Sequence, residues 1–321
     1  MPGAVDLTTV GTWREQDTSM APLLTALDEL RRRDRRAAVR TSFITLLAVG
    51  GESIGVDEIF DTVHRLGTSQ PSRVVVLRVV GGQGHRLDAR VGVHLLSRGT
   101  QCLAVDDIAL DVAGPVRRHL DSVVEPLTLP DLPVVLWCWE RLPPAWSPLI
   151  DLADHLVVDS ARAGGRDRLP ALAELQERVP VTDFSWLRLL PLRRRLAAAL
   201  RRPENLQALD HVSAVTVAGP DPERALLAGW LSRSLNLSGA ALTEVEDDQE
   251  MRVVLETAQL EVRVEAGDGM VTETVERPGC EPWSSCASSP PASTESLLAA
   301  TLVGLRPDPV FARALDAAAS G

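Results

Sequence analysis

Short apolar runs alternate with amphipathic segments along the first half of the 321-residue chain. The runs TSFITLLAVGG (41–51) and SRVVVLRVVGG (72–82) are rich in residues that suit a pleated sheet, and each closes on a glycine pair. They therefore predict buried strands. Between them, apolar residues from Val56 to Val63 recur at the spacing of one helix face. A helix between two apolar strands is the repeating unit of a layered α/β fold.

The same alternation continues toward the middle of the chain. A helical pattern runs from Gly114 until Pro130 ends it. Four further strands are predicted at LDARVGVHLL (87–96), ALDVAG (109–114), PVVLWCW (133–139) and DHLVVDS (154–160). This spacing predicts an α/β domain with a layered, mostly parallel sheet. We place that domain at residues 21–175, after a polar, mobile N-terminal arm at residues 1–20.

The second half has a different pattern. Residues 172–203 are mostly helical and rich in arginine. Later strands are predicted at HVSAVTVAGP (211–220), MRVVLE (251–256), AQLEVRVE (258–265) and VTETVE (271–276). The last two flank the turn AGDGM (266–270), whose Gly-Asp-Gly core favours a hairpin. After an irregular segment at 277–292, two helices close the chain. We therefore expect a smaller α+β domain with antiparallel strands over residues 176–321.

Composition narrows the class of protein. Hydrophobic residues make up 45% of the chain and charged residues 24%, the balance of a globular protein that buries its own core. The net charge of -11 disfavours a nucleic-acid partner, because such a protein needs a basic face. No apolar stretch approaches the roughly 20 residues of a membrane span. The first twenty residues also lack the order of a signal peptide, so we expect no membrane and a cytoplasmic location.

The sequence contains no recognisable catalytic constellation. The glycine cluster Gly81–Gly84 follows a strand, but the next pattern is another strand, so no helix N-terminus is available for a phosphate. The six histidines are not paired at metal-ligand spacing. Ser160 follows a strand end outside any G-x-S-x-G motif, and we expect it to start a turn or cap a helix. We therefore predict no enzyme activity, no cofactor and no metal.

Cys280 and Cys286 enclose EPWSS, a C-x5-C spacing that fits neither a thioredoxin motif nor a zinc ribbon. Their segment is irregular, so a redox pair that forms a reversible disulfide is one interpretation. Two free thiols are the other, because disulfides are rare in the cytosol.

The stretch WCWER (137–141) stands at the end of a predicted strand. Trp137 and Trp139 are two residues apart and share one face of the sheet, while Cys138 points to the other face. Aromatic and arginine side chains dominate binding energies at protein interfaces. The alternative for each tryptophan is packing in the core. The candidate partner-binding residues are Trp137, Trp139, Glu140, Arg141, Trp146 and Trp186.

Several segments, taken in order, resemble one family. They are RTSFITLLAV, PSRVVVL, RLDARV, HLDSVVEPLTLPDLPVVLW, LADHLVVDS, TDFSWLRLLPLRRRLAAAL and LLAGWLSRSL. The chain is similar to the glucose-6-phosphate dehydrogenase assembly proteins (OpcA family) of actinobacteria and cyanobacteria. LPDLPVVLW and DFSWLRL are the most specific matches. The chain departs from the family pattern after VVLW, where Cys138, Trp139 and Glu140 follow.

The resemblance implies a non-catalytic cytoplasmic protein whose partner is glucose-6-phosphate dehydrogenase of the oxidative pentose phosphate pathway. It would promote assembly of that enzyme or activate it allosterically. Two alternatives stay open. One is an enzyme of sugar-phosphate metabolism, and the other is a regulatory protein that binds a small ligand in a degenerate α/β crevice.

Overall fold

The structure is a computed structural model. It describes residues 6–37, 42–67, 72–98, 100–206, 209, 211–237, 241–247 and 250–320.

One sheet has eight strands, mostly from the first half of the chain. These strands are β1 Asp6–Glu15, β2 Ile44–Gly50, β3 Ser72–Val79, β4 Arg86–Arg98, β5 Gln101–Ala113, β6 Val134–Cys138, β7 His155–Val158 and β8 Val181–Asp183. Their spatial order is β1-β4-β5-β3-β2-β6-β7-β8. Strands β5, β3, β2, β6 and β7 run parallel to one another, β4 pairs antiparallel with β5, and β1 pairs antiparallel with β4. The predicted layered, mostly parallel sheet is confirmed.

A second sheet has six strands from the later part of the chain. They are β9 Val212–Gly219, β10 Leu242–Glu246, β11 Met251–Thr257, β12 Glu261–Gly267, β13 Met270–Glu276 and β14 Trp283–Ser288. Their order is β10-β9-β11-β12-β13-β14, and every pair except β10 with β9 is antiparallel. The predicted hairpin joins β12 to β13, with Asp268 and Gly269 at positive φ in the turn. The α+β character of this part is confirmed.

Eleven helices accompany the two sheets in the described part of the chain. They are α1 Met20–Arg32, α2 Val56–Leu66, α3 Leu120–Val124, α4 Pro148–Leu152, α5 Leu169–Gln176, α6 Phe184–Arg188, α7 Leu190–Leu200, α8 Pro203–Leu206, α9 Glu223–Leu235, α10 Thr294–Val303 and α11 Pro309–Ser320. The spacing of Leu23, Leu24, Leu27 and Leu30 predicts an amphipathic helix here; in α1, Leu23, Leu27 and Leu30 are buried and Leu24 is half-buried. None of these helices has the length and apolar character needed to cross a membrane.

The chain divides into two compact units. The first contains Met1–Val158, Glu177–Thr182 and Thr294–Pro307, and the second contains Asp159–Gln176, Asp183–Ser293 and Asp308–Gly321. The sequence prediction separates contiguous domains at 21–175 and 176–321. In the structure, Asp159–Gln176 belongs to the second unit, whereas Glu177–Thr182 and Thr294–Pro307 belong to the first. Helix α10 thus belongs to the first unit, where it packs on α2.

The predicted mobile arm at residues 1–20 is corrected. Asp6–Glu15 forms β1 and pairs with β4, so that Asp6 lies opposite Ser97 and Glu15 opposite Ala89. Residues 1–5 lie outside the described residues. Most side chains of β1 are exposed, because it is an edge strand. Such a strand shows no apolar stripe, and its sequence resembles that of a loop.

Strand β5 also differs from the prediction, which begins it at residue 109 and places Asp106 and Asp107 in a loop. Both acids lie inside β5 and are buried, with exposed fractions of 0% and 5%. Charged residues are fully buried only when they are paired. The partners come from distant parts of the chain, so local sequence pattern does not indicate them.

Two arginines from different elements hold Asp106. Arg31 of α1 donates from Nε and Nη2 to its two carboxylate oxygens, at 2.9 and 2.6 Å. Arg73 of β3 donates from Nε at 2.9 Å and also bonds the Leu127 carbonyl oxygen at 2.8 Å. The Asp106 carboxylate of β5 is thus linked to α1 and β3, and Arg73 also links it to the segment before β6.

We expect Asp106→Asn to destabilise the fold by about 3–5 kcal/mol, because it removes the buried carboxylate charge that Arg31 and Arg73 share. The control is Asp28→Asn, which removes an ion pair with Arg32 on the exposed side of the same helix. That change should cost less than about 1 kcal/mol. Urea unfolding of both variants measures the difference. Equal losses would contradict the role given to Asp106.

Candidate binding site

The order of the parallel strands creates a crevice in the first unit. From β2 the chain proceeds to β3 and β5 on one side, and then crosses to β6 and β7 on the other. The connections that follow β2 and β6 leave in opposite directions. In open α/β sheets, ligands bind outside the carboxyl ends of the strands at this switch point.

A pocket of about 570 Å³ lies at this switch point. Its floor is formed by Val49 and Gly50 at the end of β2, Val79 at the end of β3, and Leu136 and Cys138 of β6. The size falls within the roughly 300–1,000 Å³ of small-molecule sites, and the mainly apolar lining is also typical of them.

One wall is the segment after β6, which we call the 139–147 loop. Its start is fixed by the Trp139 amide, which donates to the Val49 carbonyl oxygen at 3.0 Å and extends the pairing of β6 with β2. Farther along, Arg178 donates to the Ala145 carbonyl oxygen and to the Asp151 carboxylate. The loop is therefore attached at both ends, and a pocket beside it has a defined shape.

Three arginines lie at the pocket, and all three are exposed. Arg117 and Arg118 follow β5 in a short 3₁₀ turn, and Arg141 is on the 139–147 loop. In the part of the chain that the structure describes, none of them forms an ion pair or a side-chain hydrogen bond. Sequence reasoning missed Arg117 and Arg118. Their position after a parallel strand is the signal that could have indicated them, once the end of β5 was known.

The first turn after β2 is GGESIG, residues 50–55. A dinucleotide-binding turn has the form G-x-G-x-x-G, and here Glu52 takes the place of the middle glycine. The Glu52 carboxylate accepts a 2.6 Å hydrogen bond from the Gly81 amide. Asp57 and Glu58 also occupy the first turn of α2. A pyrophosphate at this helix N-terminus would meet three carboxylates.

Three predicted partner-binding residues are corrected, because their side chains are buried. Trp137 and Trp139 are 2% and 6% exposed and pack edge to face, with ring centroids 5.0 Å apart. Cys138 lies on the pocket side, as the strand geometry predicts. Trp186 belongs to the second unit, is 2% exposed, and donates from Nε1 to Asp308 at 3.0 Å. Core packing accounts for all three.

The other three candidates lie together on the 139–147 loop. Trp146 is 79% exposed, and Arg141 is also exposed. Glu140 is half-buried and accepts a hydrogen bond from the Ser53 hydroxyl at 2.5 Å. A large aromatic ring and a cation, both open to solvent, are the side chains that interfaces favour.

The motif DFSWLR at residues 183–188 has a structural role in the second unit. The Asp183 carboxylate accepts from the Ser185 amide and so caps α6, and it accepts from the amide and hydroxyl of Ser160. Burial raises the pKa of Asp183 to about 7, although these hydrogen bonds oppose the rise. Arg188 holds Asp159 by two hydrogen bonds. Ser160 thus serves as a turn residue, as expected.

His64 and His94 share the carboxylate of Asp107, with Nε2–Oδ2 distances of 3.0 and 3.3 Å. Burial by itself would raise the pKa of Asp107, but the two imidazoles outweigh it and the pKa is lowered. Within the described residues, no group of three or more His, Cys, Asp or Glu side chains is placed to hold a metal ion.

Fold and pocket together define an α/β protein of doubly wound topology whose switch-point pocket is apolar and bordered by arginines. Two family models match the sequence, and both describe a glucose-6-phosphate dehydrogenase subunit. The model of its N-terminal domain matches residues 63–177, and the model of its C-terminal domain matches residues 179–315. The chain belongs to the glucose-6-phosphate dehydrogenase assembly protein (OpcA) family. No curated protein matches it significantly.

Solved structures resemble the chain only weakly. UDP-N-acetylglucosamine 3-dehydrogenase GnnA from Acidithiobacillus ferrooxidans aligns with a TM-score of 0.38 at 10% identity, covering 85% of this chain and 95% of that one. The super-repressor mutant of Gal80p from Saccharomyces cerevisiae aligns with a TM-score of 0.36 at 7% identity, covering 81% and 83%. Similarity this low supports no conclusion about what the chain binds.

Asp183 should make stability depend on pH. Its folded pKa of about 7 lies above the ordinary value of 3.8, so the folded state holds a proton that the unfolded state releases between these values. Stability should therefore fall as pH rises from 4 to 7, by up to about 1.4 kcal/mol per pH unit. We expect Asp183→Asn to flatten this slope in urea unfolding measured at several pH values. An unchanged slope would contradict the assignment.

The four cysteines should differ in reactivity. Cys138 is buried, and burial raises the pKa of its thiol to about 12, so little thiolate forms at neutral pH. Cys280 and Cys286 are free and exposed, and their disulfide stays a prediction. Iodoacetamide with mass spectrometry should label both within minutes and leave Cys138 unlabelled until the protein unfolds. If mild oxidation makes Cys280 and Cys286 resistant to iodoacetamide together, the disulfide between them is supported. If iodoacetamide still labels each of them independently after oxidation, the disulfide is excluded.

Proposed function

We propose that this chain is a non-catalytic, cytoplasmic partner of glucose-6-phosphate dehydrogenase that promotes assembly of the enzyme or activates it. The observation that carries the proposal is the pair of family matches, both named for a subunit of that dehydrogenase and together reaching from residue 63 to residue 315. Because the two family matches include residues of both compact units, the proposal concerns the whole chain and not a single segment of it.

The mechanism we propose is a shift in population. A binding protein activates an enzyme only when it binds the active form more tightly than the inactive form. The size of the activation is set by that difference in affinity and not by the total affinity. The chain needs no reacting groups for this task, only a surface that recognises one arrangement of the dehydrogenase.

Three side chains with acid or nucleophile chemistry in two of the family motifs, Asp159, Ser160 and Asp183, have internal partners, which supports a non-catalytic role. Ser160 donates its hydroxyl hydrogen to Asp183, and Asp159 is held by Arg188. These contacts fix the backbone at the start of α6. The groups are therefore engaged in maintaining the fold.

We propose the 139–147 loop as part of the contact surface. Trp146 offers an exposed ring, Arg141 a cation with no ion pair to any described residue, and Glu140 a partly exposed carboxylate. The attachment of the loop through Trp139 and Arg178 limits the conformational entropy that binding would remove.

The first test mixes the purified chain with glucose-6-phosphate dehydrogenase from the same organism. We expect co-migration in size-exclusion chromatography and a rise in kcat or a fall in KM of the dehydrogenase. Absence of both a complex and a rate change would exclude the proposal. Turnover of a sugar phosphate by the chain alone would favour the enzyme alternative.

We expect Trp146→Ala to weaken binding to the dehydrogenase by about 30-fold, the effect of losing about 2 kcal/mol at a central interface residue. Trp283→Ala is the matched control, since Trp283 is an exposed tryptophan of the second unit, 43% accessible. It should leave the affinity unchanged. Biolayer interferometry gives both dissociation constants, and circular dichroism verifies the fold. Equal affinities for the two variants would exclude the 139–147 loop as the contact surface.

A further inference from the structure

We propose that the switch-point pocket binds a small organic phosphate, in which a flat aromatic ring is linked to a diphosphate group. A nucleoside diphosphate has this chemistry. The inference goes beyond the proposed function, because it assigns a ligand to the chain itself. Three observations support it: the place of the pocket in the fold, its two-sided lining, and the cations at its edge that form no ion pair with the residues that the structure describes.

The apolar side of the pocket suits a ring. Leu136 and Val49 come from adjacent parallel strands, and Leu120 and Leu142 from the segments that follow β5 and β6. Burying a flat ring against such side chains is favourable in proportion to the area removed from water. The exposed ring of Trp146 also lines the pocket and offers a stacking face for a base.

The polar side suits an anion with several charges. Arg117, Arg118 and Arg141 together carry three positive charges, and a diphosphate ester carries about three negative charges at neutral pH, since the last phosphate pKa is near 6. Arginine forms paired hydrogen bonds with phosphate oxygens. The three arginines have no carboxylate partner among the described residues, so their charges are available to an anion even though the net charge of the chain is -11.

A second hollow of about 500 Å³ shares Arg117 and Arg118 with the pocket. Its other lining residues include Gly82 and Gly114, so backbone forms much of its surface. Gly114 has φ +63°, and a Cβ there would lie 2.3 Å from the Gly84 carbonyl oxygen. Only glycine fits that position. Arg117 and Arg118 thus line both the apolar pocket and this second hollow.

The mode of binding would differ from that of dinucleotide enzymes. There the pyrophosphate lies on the N-terminus of the first helix. Here Glu52, Asp57 and Glu58 make that end of α2 unfavourable for an anion. The phosphates would therefore point away from α2, toward Arg117 and Arg118.

Isothermal titration calorimetry of the purified full-length chain tests the proposal, with ADP as the probe. Adenosine and inorganic pyrophosphate serve as partial probes for the two sides of the pocket. We expect ADP to bind with a micromolar Kd that weakens with salt, and each partial probe to bind at least roughly tenfold more weakly. Pyrophosphate binding as tightly as ADP would overturn the apolar side of the assignment.

Two variants locate the site. Arg117→Ala/Arg118→Ala should weaken ADP at least roughly tenfold and leave adenosine unchanged, because charge-assisted hydrogen bonds to the phosphates are lost. Arg233→Ala is the control, since Arg233 is an exposed arginine of α9 in the second unit. No saturable heat with ADP, or equal binding by the double variant and the control, would overturn the proposal. The dehydrogenase is absent from this assay, so failure here leaves the proposed function untouched.

Discussion

The pairing of β2 with β6 is the constraint on which the rest of the first unit depends. Because β3 and β5 occupy one side of β2, the chain must cross over to place β6 on the other side. The segments leaving the two strands then diverge, and a crevice opens between them. The Trp139 amide extends the same pairing by one residue and fixes the start of the 139–147 loop. Pocket and exposed loop are thus consequences of one strand order.

The fold class could be predicted from the sequence because buried parallel strands are continuous apolar runs and their helices have a clear period. The elements that escaped prediction lack both signals. Strands β1, β10 and β14 lie at sheet edges with most side chains exposed, and β8 has only three residues. The first part of β5 was not predicted because it contains Asp106 and Asp107, whose carboxylates are paired with side chains far away in the chain.

The candidate site was predictable only in part. The sequence indicates the segment after VVLW and the alternation that separates Trp137 from Cys138, but it does not indicate how much of each tryptophan is exposed. Trp186 shows the limit: its indole packs under Arg193, with the guanidinium 3.4 Å from the ring centroid, and bonds Asp308. Burial of this kind comes from tertiary contacts. Arg117 and Arg118 are exposed at the pocket, unlike the buried Arg31 and Arg73, which pair with Asp106.

The 139–147 loop belongs both to the proposed contact surface and to the wall of the pocket, and this has a thermodynamic consequence. If a ligand in the pocket engages Arg141, it changes the state of a residue that also belongs to the proposed contact surface. By linkage, any effect of the ligand on affinity for the enzyme must equal the effect of the enzyme on affinity for the ligand. Competition for Arg141 would make that coupling negative, whereas ordering of Trp146 by the ligand would make it positive, because less entropy would remain to be lost when the enzyme binds. The sign therefore depends on which of these two side chains the ligand engages.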